Sequence, residues 1–380
     1  MNPIFIDVQL PSFRSSRAVI AFGSDSKNTV SYIHGNKCLL SGNHGPLSDP
    51  ESVMKFEEAV ENVIKTARPA IAGVDLHPDY YSTVHGERTS DELGIPIARI
   101  QHHHAHAASC MAEHGLKESL ALVFDGTGYG TDGNLWGAEL LHVDSGGYRR
   151  LATFAAAPLP GGDASVREPV RQLLGRMYSY VSSSKEELAE FCKRQDVDPE
   201  NAFMWLKQAE RNINCPKSHS AGRLFDSVSA LLGCAPRIAQ EAEAAINLQK
   251  AAEACKDKPY AALMPFKSFE KDDMLYIDWS PTFINADIVS SRRNLLALSF
   301  HHSLADAAMK MLEFGTAKFA TGNIVLSGGV FMNSLLLGIM KSRLEAIKFK
   351  AFSHEKIPTN DCGISVGQAV IAALENSNDE

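Results

Sequence analysis

Four histidines fall within five positions of this chain, in the run Gln101-His-His-His-Ala-His106. On a helix, His102 and His106 stand four residues apart and project from one face, as paired metal ligands do, while His103 and His104 point elsewhere. Two neutral imidazoles leave coordination positions for a carboxylate and a substrate. The competing reading is a helix merely lined by histidines that donate structural hydrogen bonds, and spacing alone leaves both open. A second concentration of chemistry is Asp125-Gly-Thr-Gly-Tyr-Gly-Thr-Asp-Gly133, with four glycines and two aspartates. A tight hairpin would need only one or two glycines, so four of them beside Asp125 favour contact with a phosphate or a metal–nucleotide. Ser327-Gly-Gly-Val-Phe-Met-Asn333 could turn its amides toward a nucleotide at a helix amino end, or form a simple strand-to-helix turn. Pro160-Gly-Gly-Asp163 reads equally as a substrate loop or a surface turn. Asp361 precedes the last helix and reads either as its cap or as the carboxylate of a two-His, one-Asp metal site. Ser220-Ala-Gly-Arg-Leu-Phe-Asp226 reads as a helix entrance.

The elements that must position these residues follow from apolar patterning. Strands are predicted at Ala18–Phe22, ending at Gly23, and as a hairpin of Thr29–Ile33 and Lys37–Ser41 about His34-Gly35-Asn36. Ser48-Asp-Pro-Glu51 opens a helix that keeps its period to about Ala67. Ala70–Val74 is a short buried strand, and the histidine helix comes next, closed by Gly115. Ser119–Phe124 is an apolar strand running into the Gly-rich turn, after which Leu135–Val143 resumes as a strand. Because a strand rather than a helix follows, this is not a dinucleotide fingerprint. Residues from about 158 to 281 are mainly helical in pattern. Ser290–Ala317 is a long helix, Asn323–Leu326 a buried strand, Ser334–Ala346 a helix, Phe349–Phe352 a strand and Ile364–Glu375 a final helix. The polar, acidic stretch from Glu375 to Glu380 is expected to fray. Two such units, each a sheet with helices and a Gly loop, suggest an α/β actin-like ATPase architecture, and no shorter repeat is visible.

Composition narrows the function classes. The 380 residues suffice for two core-forming units, and 44% hydrophobic with 22% charged residues is an ordinary globular balance. A net charge of −8, from 37 basic and 45 acidic residues, argues against a broad nucleic-acid-binding surface. The seven cysteines include no Cys-x-x-Cys pair, which suggests neither a zinc ribbon nor a disulfide framework and suits a reducing compartment. Met1–Phe13 lacks a basic leader followed by an apolar core, and no apolar run reaches membrane-spanning length. The expectation is a soluble cytoplasmic protein, with no nucleic acid and no membrane as partner.

Taken in order, eight segments resemble the hydrogenase-maturation carbamoyltransferase family HypF. They are Lys27-Asn-Thr29, Asp75-Leu-His-Pro-Asp-Tyr80, the histidine run, Asp125–Gly133, Leu159-Pro-Gly-Gly-Asp163, Gly222-Arg-Leu-Phe-Asp226, Ser327–Asn333 and Asn360-Asp-Cys-Gly-Ile-Ser-Val-Gly-Gln368. The resemblance covers only the carboxy-terminal, actin-like part of that family; its acylphosphatase, zinc-finger and carbamoyl-adenylating modules have no counterpart in this sequence. It implies an actin-like (ASKHA) fold of two RNase H-like lobes, residues 18–116 and 117–380, the second carrying a mainly helical insertion at about 158–281. It also implies a fold similar to the tRNA threonylcarbamoyl transferases and O-carbamoyltransferases.

In the family pattern His102, His106 and Asp361 match the metal ligands, for iron or zinc, with magnesium a further candidate. Asp125, Gly126, Thr127, Gly128, Gly222, Asp226, Glu241, Gly328, Gly329 and Asn333 match positions that face ATP or carbamoyl-adenylate. Asp125, His102 and His106 are then the catalytic group. The implied reaction moves a carbamoyl group from carbamoyl-adenylate to the carboxy-terminal cysteine of a HypE-like acceptor, giving the precursor of the cyanide ligands of nickel–iron hydrogenase. A separate carbamoyl-adenylating protein would supply the donor. Two departures stand out: Glu241-Ala-Glu-Ala-Ala245 replaces the family's Glu-Gly-Gln-Ala-Ala, and Cys362 stands where glycine is common. A lost glycine could block close backbone approach, and a glutamate adds negative charge near any phosphate. The alternatives are a tRNA threonylcarbamoyl transferase-like enzyme, disfavoured by the acidic balance and by the Asp125–Gly133 signature, and a non-catalytic nucleotide-binding relative, suggested by Ala242 and Glu243.

Overall fold

A computed structural model of the chain describes residues 5–259, 263–284 and 292–376. The first half runs β1 (Phe5–Gln9), β2 (Ser15–Ala21), β3 (Ser31–Gly35), β4 (Lys37–Ser41), α1 (Pro50–Ala67), β5 (Ile71–Asp75), α2 (Tyr81–Leu93), β6 (Ile97–Ile100) and α3 (His102–His114). A second sheet opens with β7 (Ser119–Tyr129), β8 (Leu135–Asp144) and β9 (Gly147–Phe154). A long excursion follows through β10 (Ala157–Pro158), α4 (Asp163–Arg167), α5 (Pro169–Arg176), α6 (Tyr178–Val181), α7 (Lys185–Gln195) and α8 (Pro199–Arg211). It continues through β11 (Lys217–Ser218), α9 (Ala221–Leu231), α10 (Glu243–Glu253), β12 (Lys267–Lys271), β13 (Met274–Asp278) and α11 (Ser280–Ile284). The chain closes with α12 (Arg293–Thr316), β14 (Asn323–Ser327), α13 (Ser334–Ala346), β15 (Lys350–Ser353) and α14 (Ile364–Glu375). Ser290, the expected start of the long helix, and residues 377–380 of the acidic tail lie outside the described residues.

The two sheets share one topology. The first has the order β1-β4-β3-β2-β5-β6 and the second β12-β13-β9-β8-β7-β14-β15. In each, a three-stranded antiparallel meander (β2–β4, β7–β9) is followed by two strands added in parallel to its first strand (β5 and β6, β14 and β15). That is the RNase H-like order, present twice, and it bears out the α/β actin-like expectation. The segment read as mainly helical also carries a hairpin, β12–β13, which extends the second sheet where β13 pairs in parallel with β9. Strands β1, β6 and β9 and helix α2 had no counterpart in the periodicity reading; short strands and a polar helix carry little apolar period.

Local chemistry fixes the element ends. The Asp49 carboxylate accepts from Ser52 N (3.0 Å) at the start of α1, Pro50 supplies the first turn, and Phe56, Ala59, Val60 and Val63 are buried. The Gln101 side-chain carbonyl accepts from His104 N (2.9 Å) to start α3, and Gly115 closes it at φ 67°. The Gly-rich stretch differs from its expected form: β7 continues as strand through Tyr129, with a register shift between Phe124 and Gly128. The reversal itself is made lower down, where Gly130 N donates to Asn134 O (3.0 Å). The bulge turns Asp125 out of the regular pleat.

Helix α3 lies between the sheets. Ala105, Ala108 and Ala112 pack with Val19, Ile71 and Ala98 of the first sheet and with α14, while Ala107, Cys110 and Met111 pack with Ala121, Val123 and Val325 of the second. Helix α14 is buried from Ile364 to Ala373 and docks on the first sheet although it ends the chain. Among the described residues no helix is long and apolar enough to cross a membrane.

Candidate metal centre

The histidine run is buried on every side, with His102, His103 and His106 inaccessible to solvent and His104 at 7% exposure. Burial follows from small neighbours: alanines at 105, 107, 108 and 112 let α3 approach both sheets. The four rings divide by environment. His102 Nδ1 lies 2.8 Å from Asp75 Oδ2, at the end of β5, and both residues are fully buried. A carboxylate can only accept here, so Nδ1 carries the proton and Nε2 is left to face the opposite way. On that side Nε2 stands 3.6 Å from Asp125 Oδ2 and 4.0 Å from Asp361 Oδ1, and His106 Nε2 is 3.8 Å from the same Asp361 oxygen. His103 Nδ1 is 3.1 Å from the Gln101 amide, and the His104 ring packs on Tyr148 with 4.9 Å between centroids.

The structure thus brings His102, His106, Asp125 and Asp361 into one cluster, with one ligand atom from each lying within 4.8 Å of the others. Sequence spacing pointed to the two histidines and left Asp361 undecided; the family resemblance grouped Asp125 with the two histidines as catalytic and with the nucleotide, but not as a metal ligand. The carboxylates are themselves held. Asp125 Oδ1 accepts from Gly329 N (3.0 Å), and Asp361 Oδ2 accepts from the Ser24 (3.2 Å) and Ser26 (2.5 Å) hydroxyls. Ser24 and Ser26 were not singled out by sequence reasoning, and Asp75 entered it only within the family-like Asp75–Tyr80 segment, with no role assigned, although a carboxylate ending a buried apolar strand was a further signal.

Electrostatics states what the cluster lacks. Burial alone would lower the proton affinity of His102, but the Asp75, Asp125 and Asp361 carboxylates outweigh it and hold its pKa well above the ordinary imidazole value. Burial likewise disfavours charge on Asp125, yet the adjoining His102, with His106 and His103 behind it, keeps its pKa well below the carboxylate range. His106 goes the other way: burial depresses it to about 4, so it is neutral at pH 7. Both His106 ring nitrogens and His102 Nε2 lack any hydrogen-bond partner. Of these, the two Nε2 atoms face the Asp125 and Asp361 oxygens, an arrangement that is costly unless something positive sits among them. Two imidazoles and two carboxylates, backed by Asp75, fit a divalent cation such as iron or zinc.

The remaining residues matched to nucleotide positions divide into two groups. Of the five glycines, Gly128, Gly222 and Gly328 have no room for a side chain, a Cβ on Gly329 would press on Asp125 Oδ1 at 3.0 Å, and Gly126 is open, with Arg223 at 3.9 Å its nearest neighbour. A Cβ on Gly222 would lie 2.8 Å from Gly126 Cα, one on Gly128 would lie 2.4 Å from the His103 ring, and one on Gly328 (φ +95°) would lie 2.3 Å from Phe124 O. The Thr127 hydroxyl donates to Gly126 O, and its amide faces Asp125. The second group has its side chains committed elsewhere. Asn333 caps α13, accepting from Leu336 N (3.0 Å), and donates to His301 Nε2 (2.9 Å). Asp226 is buried against Arg223 (3.0 Å) and Gln172 (3.1 Å), and burial raises its pKa. Glu241 is exposed and pairs with Lys27 across the cleft. Of the departures beside it, Glu243 has a local explanation, turning its carboxylate onto the amides of Ala239 (2.7 Å) and Gln240 (3.2 Å), whereas Ala242 sits at the α10 N-cap with φ 60°, a conformation glycine suits better, and nothing in the structure explains the alanine.

Comparison with known proteins places this geometry. Residues 14–113 match the HypF Kae1-like domain, and residues 121–368 match the second subdomain of the carbamoyltransferase Kae1-like domain. A carbamoyltransferase HypF homolog of Cupriavidus necator is 33% identical over 379 residues, covering 96% of this chain and 94% of that protein. The carbamoyltransferase HypF of Rhodobacter capsulatus is also 33% identical, over 377 residues, but the match spans 48% of its length. Among solved structures, full-length HypF in its phosphate- and nucleotide-bound form superposes with a TM-score of 0.87 at 31% identity, over 98% of this chain and 57% of that one. The structure of T. kodakarensis HypF gives 0.86 at 28% identity, over 99% of this chain and 49% of that one. The chain therefore spans nearly all of one relative and about half the length of the others.

Proposed function

Since the chain belongs to the HypF carbamoyltransferase family, we propose that it transfers a carbamoyl group from carbamoyl-adenylate to the carboxy-terminal cysteine of a HypE-like acceptor. The product would be the precursor of the cyanide ligands of nickel–iron hydrogenase. The observation that carries this reading is the buried His102–His106–Asp125–Asp361 cluster flanked by glycine-rich loops. The solved relative bound to phosphate and nucleotide lends it support. The same reading takes residues 18–116 and 117–380 as two lobes, the cytoplasm as the setting, and a separate protein as the source of carbamoyl-adenylate.

In the reaction, the acceptor thiolate attacks the carbamoyl carbon, a C–S bond forms, and the C–O bond to phosphate breaks with its electron pair leaving on AMP. A divalent cation bound by His102, His106, Asp125 and Asp361 would supply Lewis acidity toward the carbamoyl carbonyl. The chain's own residues do the rest. Asp75 fixes the tautomer of His102 so that Nε2 is a donor pair rather than a proton carrier. The Gly329 amide and the Ser24 and Ser26 hydroxyls hold the two carboxylates in place. The glycines of the Asp125 and Ser327 loops leave room for backbone amides to face the nucleotide phosphate.

The test is transfer of labelled carbamoyl from supplied carbamoyl-adenylate to acceptor cysteine, with metal content followed by elemental analysis. A His102→Ala, His106→Ala protein is expected to lose the metal and to slow at least ~100-fold, the scale of removing one electrostatic stabiliser from an acyl-transfer site. Full transfer by that metal-free variant would overturn the assignment.

A further inference from the structure

Lys27 is the one residue of the shared segments whose side chain crosses from the first sheet's loops to the inserted segment. It sits between β2 and β3, in the loop whose Ser24 and Ser26 hydroxyls hold Asp361. Its ammonium reaches the carboxylate of Glu241, at the entrance to α10. We propose that Lys27 is a phosphate-binding cation of the cleft and that Glu241 occupies it until a nucleotide phosphate takes its place. This deepens the reading above and rests on its nucleotide-binding part.

Three observations support it. First, the pair is open to solvent on the Glu241 side, with side chains 27% and 65% exposed, and solvent weakens such an ion pair. A phosphate oxygen offers Lys27 a charge-assisted bond in exchange, so displacing Glu241 costs little. Second, although partial burial pulls its proton affinity down, the ammonium is kept charged by Glu241, Asp361 and Asp125. Ser26, the residue before Lys27, donates its hydroxyl to Asp361 Oδ2 (2.5 Å), so an anion on Lys27 would lie beside the metal cluster. Third, in a carbamoyl-adenylate a single bridging oxygen separates the phosphorus from the carbamoyl carbon. A phosphate seated on Lys27 would therefore deliver the reacting carbonyl to His102 and His106.

Calorimetric titration of the full chain with ATP and with AMP tests this, with metal content measured on each variant to confirm that the centre is intact. Lys27→Met is expected to weaken nucleotide binding ~10-fold or more through loss of a charge-assisted bond. Glu241→Gln is expected to tighten it ~3-fold by removing the competing carboxylate. In the Lys27→Met background, Glu241→Gln should have no further effect. Nucleotide binding that Lys27→Met leaves unchanged, or that Glu241→Gln fails to tighten, overturns the assignment alone. A wild-type chain that binds neither ATP nor AMP overturns both the assignment and the nucleotide reading beneath it.

Discussion

Asp75 decides what His102 can do. A ring held by one carboxylate at 2.8 Å and facing two more within 4.0 Å is surrounded by negative charge that only a proton or a cation can balance. Replacing Asp75 by Asn keeps the shape and a hydrogen-bonding group but removes both the charge and the fixed tautomer. Metal affinity, followed by competition with a chelator, is then expected to fall ~10–100-fold, the usual consequence of losing an outer carboxylate behind a ligating histidine. Unchanged affinity would show that Asp75 merely fills space. Helical spacing was enough to separate His102 and His106 from their two neighbours, because the 3.6-residue turn that puts i and i+4 on one face is a local property. Asp75 was not legible: it lies 27 positions upstream, and only the parallel pairing of β5 with β6 brings it beneath α3.

At the scale of elements, the centre depends on how α3 and α14 cross. At Gly367 an added Cβ would lie 1.9 Å from Ala105 O, so the two helices touch backbone to backbone between His102 and His106. Three residues before α14 stands Asp361, and Gln368 of the same helix accepts from Gly23 N (2.8 Å), tying the loop of Ser24 and Ser26 to it. Gly367→Ala must push the helices apart. Overpacking of this kind costs typically about 1–3 kcal/mol. The expected outcome is an unfolding free energy, from urea titration, lowered by that amount together with weaker metal binding, since Asp361 and the histidine pair ride on the two displaced elements. A Gly367→Ala protein with lowered stability and full metal affinity would show that the crossing does not set the ligand spacing.

For the whole molecule, burial of neutral histidines makes stability depend on pH. His44 and His301 are both pushed down to about 4 by burial. His301 is locked as a neutral tautomer, since its Nδ1 can only donate to Ala297 O (2.8 Å) while Nε2 accepts from Asn333 (2.9 Å). Between about pH 6.5 and 4 the unfolded chain binds more protons at these positions than the folded one. Their contribution is therefore fully present above pH 6.5 and is lost as pH falls toward 4, by at most roughly 3 kcal/mol each. Urea unfolding at pH 7 and pH 4.5 should show this decline, and a His44→Asn, His301→Asn protein should show a smaller one. An equal decline in both proteins would place the acid sensitivity elsewhere.

Residue types and short-range spacing by themselves determined the helix faces, the caps at Asp49 and Gly115, the glycine-rich loops beside the cluster, and the order of motifs that identifies the family. These are properties of the chain over a few residues, and local sterics and hydrogen bonding fix them. Local spacing left Asp361 undecided, and only the family resemblance set it with the two histidines; tertiary structure alone decided that Asp125 offers a fourth ligand atom to that cluster and that Ser24 and Ser26 orient Asp361 from 335 or more positions away. It also revealed one strand order used twice, which no sequence repeat disclosed. The physical reason is that strand pairing depends on alternation, which many sequences satisfy, whereas a buried cluster of charges is specified only once the sheets have packed around α3 and water has been excluded.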